Sequence, residues 1–533
     1  MPEAARHPQE QARRVHRLLR LPEVPIHGEC IGSCQPRPPA RALEAQSFWL
    51  AACGCTKETT MSGQKSAGEA PQPSELQRGL PMVAKWDPEA LAREKAMLAE
   101  LEKSGLCARL VAYSKKMGPG WMQSALTLGS GSFFSSFFAG AMLGYSLLWV
   151  QPLGMLLGVI MFMAIAYQTL STGVRPFAAM RRYVHPAVAW AWALTSLAAT
   201  VIWHFPQYSC GGTAAADLAE HFGWAGAGKL VGARLFFGLV MLAVCVAVTW
   251  LYGSGSRGLK LFDRLIKLMV AVIVLSFMLV VIRTGVRWQA LWEGLTRFRM
   301  PSDKTGIEVM MGGLSAAVGI NMTFLFPYTL LARGWGREHR GLAKFDLVLG
   351  MWLPFVLATG FLVMAAANTL YNPANPVTSK LGPDKAAQVL SAAAGPVVGR
   401  IIFDLGVLAM VISSIVLHML VAAFIVCEIF GIEPTGWRYR LTSLIPIPGV
   451  LGTVVQFPFW LPVVTSGICF VFLPIAYIAF FLLHNRRDYL GADKPTGARA
   501  WAWNIAMLIA IGVVTSYAAW WLIEIGLPKL LGS

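Results

Sequence analysis

LTLGSGSFFSS, residues 126–136, lies in a segment with no charged residue between Lys116 and Arg175. The segment is long and apolar enough to cross a bilayer as helix, yet Gly129-Ser130-Gly131-Ser132 is poor helix material. In lipid, an unwound turn strands backbone N–H and C=O groups, and each is costly when unpaired. A break at mid-membrane is tolerable only where protein, water or a bound species supplies partners. The stretch therefore predicts a helix broken around a polar site.

The rest of the chain fits a membrane setting. It is 56% hydrophobic and 14% charged, against about 25% charged for a soluble chain. The net charge of +17 comes from short Lys/Arg clusters between apolar runs, which excludes a nucleic-acid partner in favour of a lipid bilayer. The apolar runs read as eleven spans, near 119–143, 147–170, 187–208, 230–252, 261–283, 309–332, 345–369, 397–426, 441–456, 459–483 and 500–526. The ninth is the weakest, being short and holding Pro446 and Pro448. Basic clusters after spans two, four, six and ten fall on the same side as Lys115 and Lys116. The positive-inside rule then places the N-terminus in the cytoplasm of a multi-pass cell-membrane protein. The connection 284–308 is the exception, external by this count yet carrying Arg287, Arg297, Arg299 and Lys304.

Spans one to five and six to ten are odd-numbered halves in series, so they enter the membrane from opposite sides, as an inverted repeat does. Span six has its own interruption, with Gly312-Gly313, then Gly319-Ile320-Asn321-Met322-Thr323, then Pro327. Matching breaks in two halves point to a transporter's binding site. Small residues that let helices pack closely are the plainer explanation for either break alone. The candidate substrate contacts are Gly129, Ser130, Gly131, Ser132, Gly319, Asn321, Met322 and Thr323.

Outside the spans, 87–105 reads as a cytoplasmic helix and 86–116 as the approach to a transmembrane domain over 117–527. Residues 1–85 read as a disordered tail, or as sequence upstream of a start at Met61 or Met82. Cys30, Cys34, Cys53 and Cys55 lack the folded knuckle a zinc site needs. No phosphate-binding loop and no nucleophile with a base is present, so neither enzyme nor cofactor chemistry is expected.

The run GPGWMQSALTLGSGSFFSSFFAGAMLGYSLLWV, residues 118–150, resembles the opening span of the Nramp family of divalent-metal transporters. The likeness continues to Ser171-Thr172-Gly173, and returns in FDLVLG…MAAANTL (345–370), at Ser413-Ser414 and in LP…HNRRDYLG (473–491). It implies an all-α LeuT-type fold, a 5+5 inverted repeat of about eleven helices with spans one and six broken. It also implies a secondary transporter that moves a divalent metal by alternating access, with protons as the coupling ion. The family's ligands do not carry over. Its Asp-Pro-Gly-Asn stands as Gly129 to Ser132, and its Met-Pro-His as Met322-Thr323-Phe324, which keeps a thioether for a metal and loses the imidazole. Its span-ten Gln falls at Phe472, and its span-three acidic pair at Val201 and His204. His204 is thus the candidate for proton handling, as an ionisable group within a span. His418 is also mid-span, with no partner indicated by spacing, and Asp404 reads as a carboxylate at a helix start. Neutral donors suit a dehydrated metal poorly, which leaves two alternatives: a small organic solute as substrate, or a non-transporting sensor or partner subunit.

Overall fold

A run of about 20 apolar residues in a bilayer pairs its backbone groups by forming helix. The computed structural model describes residues 88–101, 103–374, 383–433, 436–455 and 461–526, and the regular structure among them is helical. The cysteines at 30, 34, 53 and 55 and the tail over 1–85 lie outside the described residues. Among the described residues, nine helices are long and apolar enough to cross a membrane, or ten when the bent pair Pro119–Thr127 and Ser130–Leu143 counts as one span.

That pair is span one. Span two is Val150–Thr172, span three Pro186–His221, span four Val231–Tyr252 and span five Ser256–Thr284. Span six is Lys304–Ala317 with Ile320–Ala332. Span seven begins at Arg340 and ends in Leu353–Thr369, and span eight is Val397–Ile402 continuing as Phe403–Phe430. Leu461–Val471 with Leu473–Asn485 forms span ten, and Gly497–Trp521 span eleven. Span eight is the axis of the bundle, 94% buried over its most apolar stretch, whereas span four, at 28%, turns most of its surface outward to lipid. Span eight packs chiefly on span three, and the second half of span one on span seven.

The ninth apolar segment departs from expectation. No long helix forms over 441–456. A short helix, Gly436–Thr442, is followed by a 3-10 stretch, Ile447–Thr453. Pro446 and Pro448 lack the N–H groups a helix interior needs, and the segment instead lies flat along span three. Gly449 and Gly452 make this approach possible, because a Cβ at either would sit 2.2 Å from His204 Cβ or from the Phe205 carbonyl oxygen. Gly449→Val should therefore force the segment off span three. We expect a loss of about 1–3 kcal/mol, the usual cost of overpacking, read as a lower melting temperature in detergent.

The break in span one is shorter than the sequence indicates. Only Leu128 and Gly129 leave the helix, and the second half resumes at Ser130, bent by 59° from the first. Ser130, Gly131 and Ser132 form its first turn. In span six Val318 and Gly319 are extended, without a bend above 40°. The basic connection 284–308 forms the helix Trp288–Thr296, where Glu293 pairs with Arg297 and Arg299 at 3.2 and 3.6 Å. On the side of the basic clusters, the helix Pro88–Leu101 is tied down by Glu94, 2.8 Å from Lys116 Nζ. Trp192 of span three is fully buried.

Candidate functional site

The two breaks face each other across a small cavity of about 30 Å³, room for roughly one water-sized species. Gly129, Gly131, Ser132, Gly319, Asn321 and Met322 line it. So do Thr127, Trp203, Gln207, Ser315 and His418, none of which the sequence marked as substrate contacts. Ser130 and Thr323 are not on its wall. Thr323 Oγ1 points to span three, where it accepts the Trp192 Nε1–H at 2.9 Å. His204 stands behind His418, the two rings edge to face with centroids 5.4 Å apart.

The freed backbone N–H groups are taken by side chains. Ser130 N–H donates to Gln207 Oε1 at 2.9 Å, and Met322 N–H to Asn321 Oδ1 at 3.0 Å. Gly129 N–H donates to Ser132 Oγ at 3.0 Å, and Gly319 N–H points at Met322 Sδ at 3.3 Å. Ser132, the third residue of its half-helix, thus reaches back to the residue before the helix, as a capping residue does. Its hydroxyl proton goes to the Thr127 carbonyl at 2.8 Å.

The carbonyls are served less fully. Ser414 Oγ lies 3.1, 3.1 and 2.9 Å from the carbonyl oxygens of Ala125, Leu126 and Leu128. Thr127 Oγ1 lies 2.8 and 3.0 Å from those of Ala316 and Ala317. Ser413 Oγ also lies 3.3 Å from the Ala125 carbonyl oxygen, and each hydroxyl has one proton to give. The half-helices Pro119–Thr127 and Lys304–Ala317 also turn their C-terminal, partially negative ends to this point. The N-terminal ends of the other two halves are quenched by the side-chain acceptors just named. Two helix C-termini thus turn partial negative charge to the cavity, and no carboxylate among the described residues stands on its wall.

The geometry explains the missing carboxylate. A Cβ at Gly129 would sit 2.5 Å from Gln207 Nε2 and 2.6 Å from Ser414 Oγ. The Gln207 amide, from span three, occupies the space that a side chain at 129 would need. Spacing along the chain does not show this, since Gln207 and Gly129 meet only through the packing of spans one and three.

The imidazoles are equally dependent on packing. His204 Nδ1 is 3.0 Å from the Thr200 carbonyl oxygen, so that nitrogen carries the proton and Nε2 keeps a lone pair. Neither His204 Nε2 nor His418 Nδ1 has a hydrogen-bond partner, and both rings are buried. With Met322 Sδ, His418 brings an imidazole and a thioether to the wall of the cavity. No group of three or more His, Cys, Asp or Glu able to hold a metal occurs among the described residues.

Two broken helices, one in each half of the chain, closing on a polar cavity at mid-membrane define a transporter of the alternating-access class. A sequence profile described as Natural resistance-associated macrophage protein-like, or Nramp, matches residues 120–523, and the chain belongs to that family. Among its relatives are the divalent metal cation transporters MntH of Brucella suis and Deinococcus radiodurans. The first is 24% identical over 410 residues, covering 74% of this chain and 85% of the relative. The second is 25% identical over 423 residues, covering 76% and 89%. Among solved structures, a manganese transporter of Eremococcus coleocola superposes with a TM-score of 0.62 at 14% identity, over 78% of this chain and 87% of that one. MhsT in complex with L-phenylalanine gives 0.51 at 16% identity, over 75% and 98%. These likenesses establish the LeuT-type fold of a multi-pass membrane protein.

Proposed function

We propose that the chain is a secondary transporter that carries a divalent transition-metal ion through this cavity by alternating access. The observation that supports this most is the pair of helix C-terminal ends turned to a space of about 30 Å³, to which Met322 and His418 add soft and borderline donors. Imidazole and thioether ligands favour manganese, iron or cobalt over magnesium and calcium, which prefer oxygen. With no charged ligand the ion binds weakly, and a carrier must release what it takes up. Gly129, Gly131, Ser132, Gly319, Asn321 and Met322 stay in the proposed site. Ser130 acts through its N–H to Gln207, and Thr323 through its bond to span three. His204 receives the coupling proton at Nε2, behind His418. The protein sits in the cell membrane with its N-terminus in the cytoplasm, as its basic clusters indicate.

A small organic solute fits less well. The cavity holds one water-sized species, far less than an amino acid of the kind bound in MhsT. The test is uptake into liposomes that carry a metal-quenched dye. Manganese or cobalt should enter, and magnesium should not. Flux of none of these ions would overturn the proposal and favour a role without transport.

A further inference from the structure

A second polar cluster lies some distance along span three from the first, near the end of the span away from the basic clusters. Asp217 of span three is buried, and Arg400 of span eight grips both its carboxylate oxygens, with Nε at 2.6 Å and Nη2 at 2.8 Å. One turn further along span eight is Asp404. It lies in the first turn of Phe403–Phe430 and is fully buried, and neither of its carboxyl oxygens receives an N–H or O–H. Its hydrogen-bonding neighbour is the Asp217 carboxyl. Asp217 also lines a cavity of about 520 Å³ that takes in Ser209, Thr213 and Glu220 of span three and Asp384 of the helix Pro383–Ala394.

Asp217 and Cys210 face Asp404 from span three, Arg400 from its own helix and Asp384 from the helix before it, while Glu220 faces Arg400. Lys229 and Arg234 stand on the wall of the second cavity, and neither donates to Asp404. Span five offers only Ser276 and Phe277 at the neighbouring Gly406. Arg400 spends its fork on Asp217 and donates nothing to Asp404, so two ionised carboxylates would stand against each other here, and like charges at that range do not both ionise. One proton resolves this. Because the Arg400 fork already holds both Asp217 oxygens, the proton resides on Asp404 and its O–H donates to Asp217.

We propose that Asp217, Arg400 and Asp404 form a proton-binding site at the wall of the second cavity, which fastens spans three and eight together there while the proton is bound. Loss of the proton sets two carboxylates against each other across that interface and opens this end of the bundle. The site does not depend on which species the central cavity carries.

Infrared spectroscopy of the full chain in lipid nanodiscs tests it without any transport assay. At neutral pH the protein should show the carbonyl stretch of a protonated carboxylic acid, shifted by exchange into deuterium oxide. Asp404→Asn should remove that band. Asp217→Asn should remove it too, because Asp404 would then ionise against Arg400, which covers the case in which one variant fails to fold. A band that survives both substitutions, or no such band in the parent, overturns the proposal. In liposomes that take up manganese, Asp404→Asn should also abolish the dependence of uptake on the pH facing the second cavity. A parent that shows the band but moves no metal defeats the metal reading alone.

Discussion

His418→Ala should lower manganese uptake by about tenfold or more, the consequence of losing an interaction worth about 1.4 kcal/mol or above at the rate-limiting state. His418 supplies an imidazole on the wall of the central cavity, and it comes from the most deeply buried of the described spans. Alanine there leaves the ion only oxygens and Met322 Sδ. The substitution also enlarges the cavity, so a carrier of organic solutes would gain room and lose little. Uptake should therefore fall while selectivity moves toward magnesium, since the remaining donors are mostly hard. Met322→Ala should act in the same direction. Unchanged manganese flux in both variants would remove these side chains from the site. The measurement is initial uptake rate against metal concentration in liposomes, normalised to protein content.

Gly129→Asp alone should not create a tighter metal site, although it restores the acid of the family's motif at this position. The new Cβ would meet Gln207 Nε2 at 2.5 Å and Ser414 Oγ at 2.6 Å. Ser414 can rotate, but the Gln207 amide is pinned by the Ser130 N–H. We expect the single variant to be destabilised and to bind no better. Combined with Gln207→Ala, the carboxylate has space and the Ser414 hydroxyl can donate to it. A charged ligand of this kind is worth about 1.5–3 kcal/mol, so manganese should bind about tenfold to a hundredfold more tightly in the double variant. Neighbours that share one space are expected to be non-additive in this way. Titration calorimetry on the two single variants and the double variant reads the effect. Tighter binding by Gly129→Asp alone would show that Gln207 does not hold that space.

Much of this protein is legible in one dimension because a bilayer narrows the choices. Apolar runs of the right length must become helices, since nothing else in lipid pairs their backbone groups. The repeated interruptions at Gly129 and Gly319 located the cavity, and the motifs around them located the family. The same logic failed at the ninth segment. Its apolar composition suited a span, but two prolines and two glycines laid against His204 and Phe205 made it a short helix and a 3-10 run.

The contents of the cavity were a matter for tertiary structure. Periodicity tells which residues share a face of one helix, and is silent on which distant helix that face will meet. Ser132 was readable as a candidate from the broken turn beside it. Gln207, Ser414 and His418 were not, because their partners are 77 to 289 residues away and are chosen by the packing of spans three and eight on span one. The same packing turns Thr323 away from the cavity, toward Trp192, and sets Asp404 against Asp217. Sequence determined that a polar gap must exist in the membrane. Which donors fill it depends on close contact between helices, where a shift of one residue along either would replace every pair.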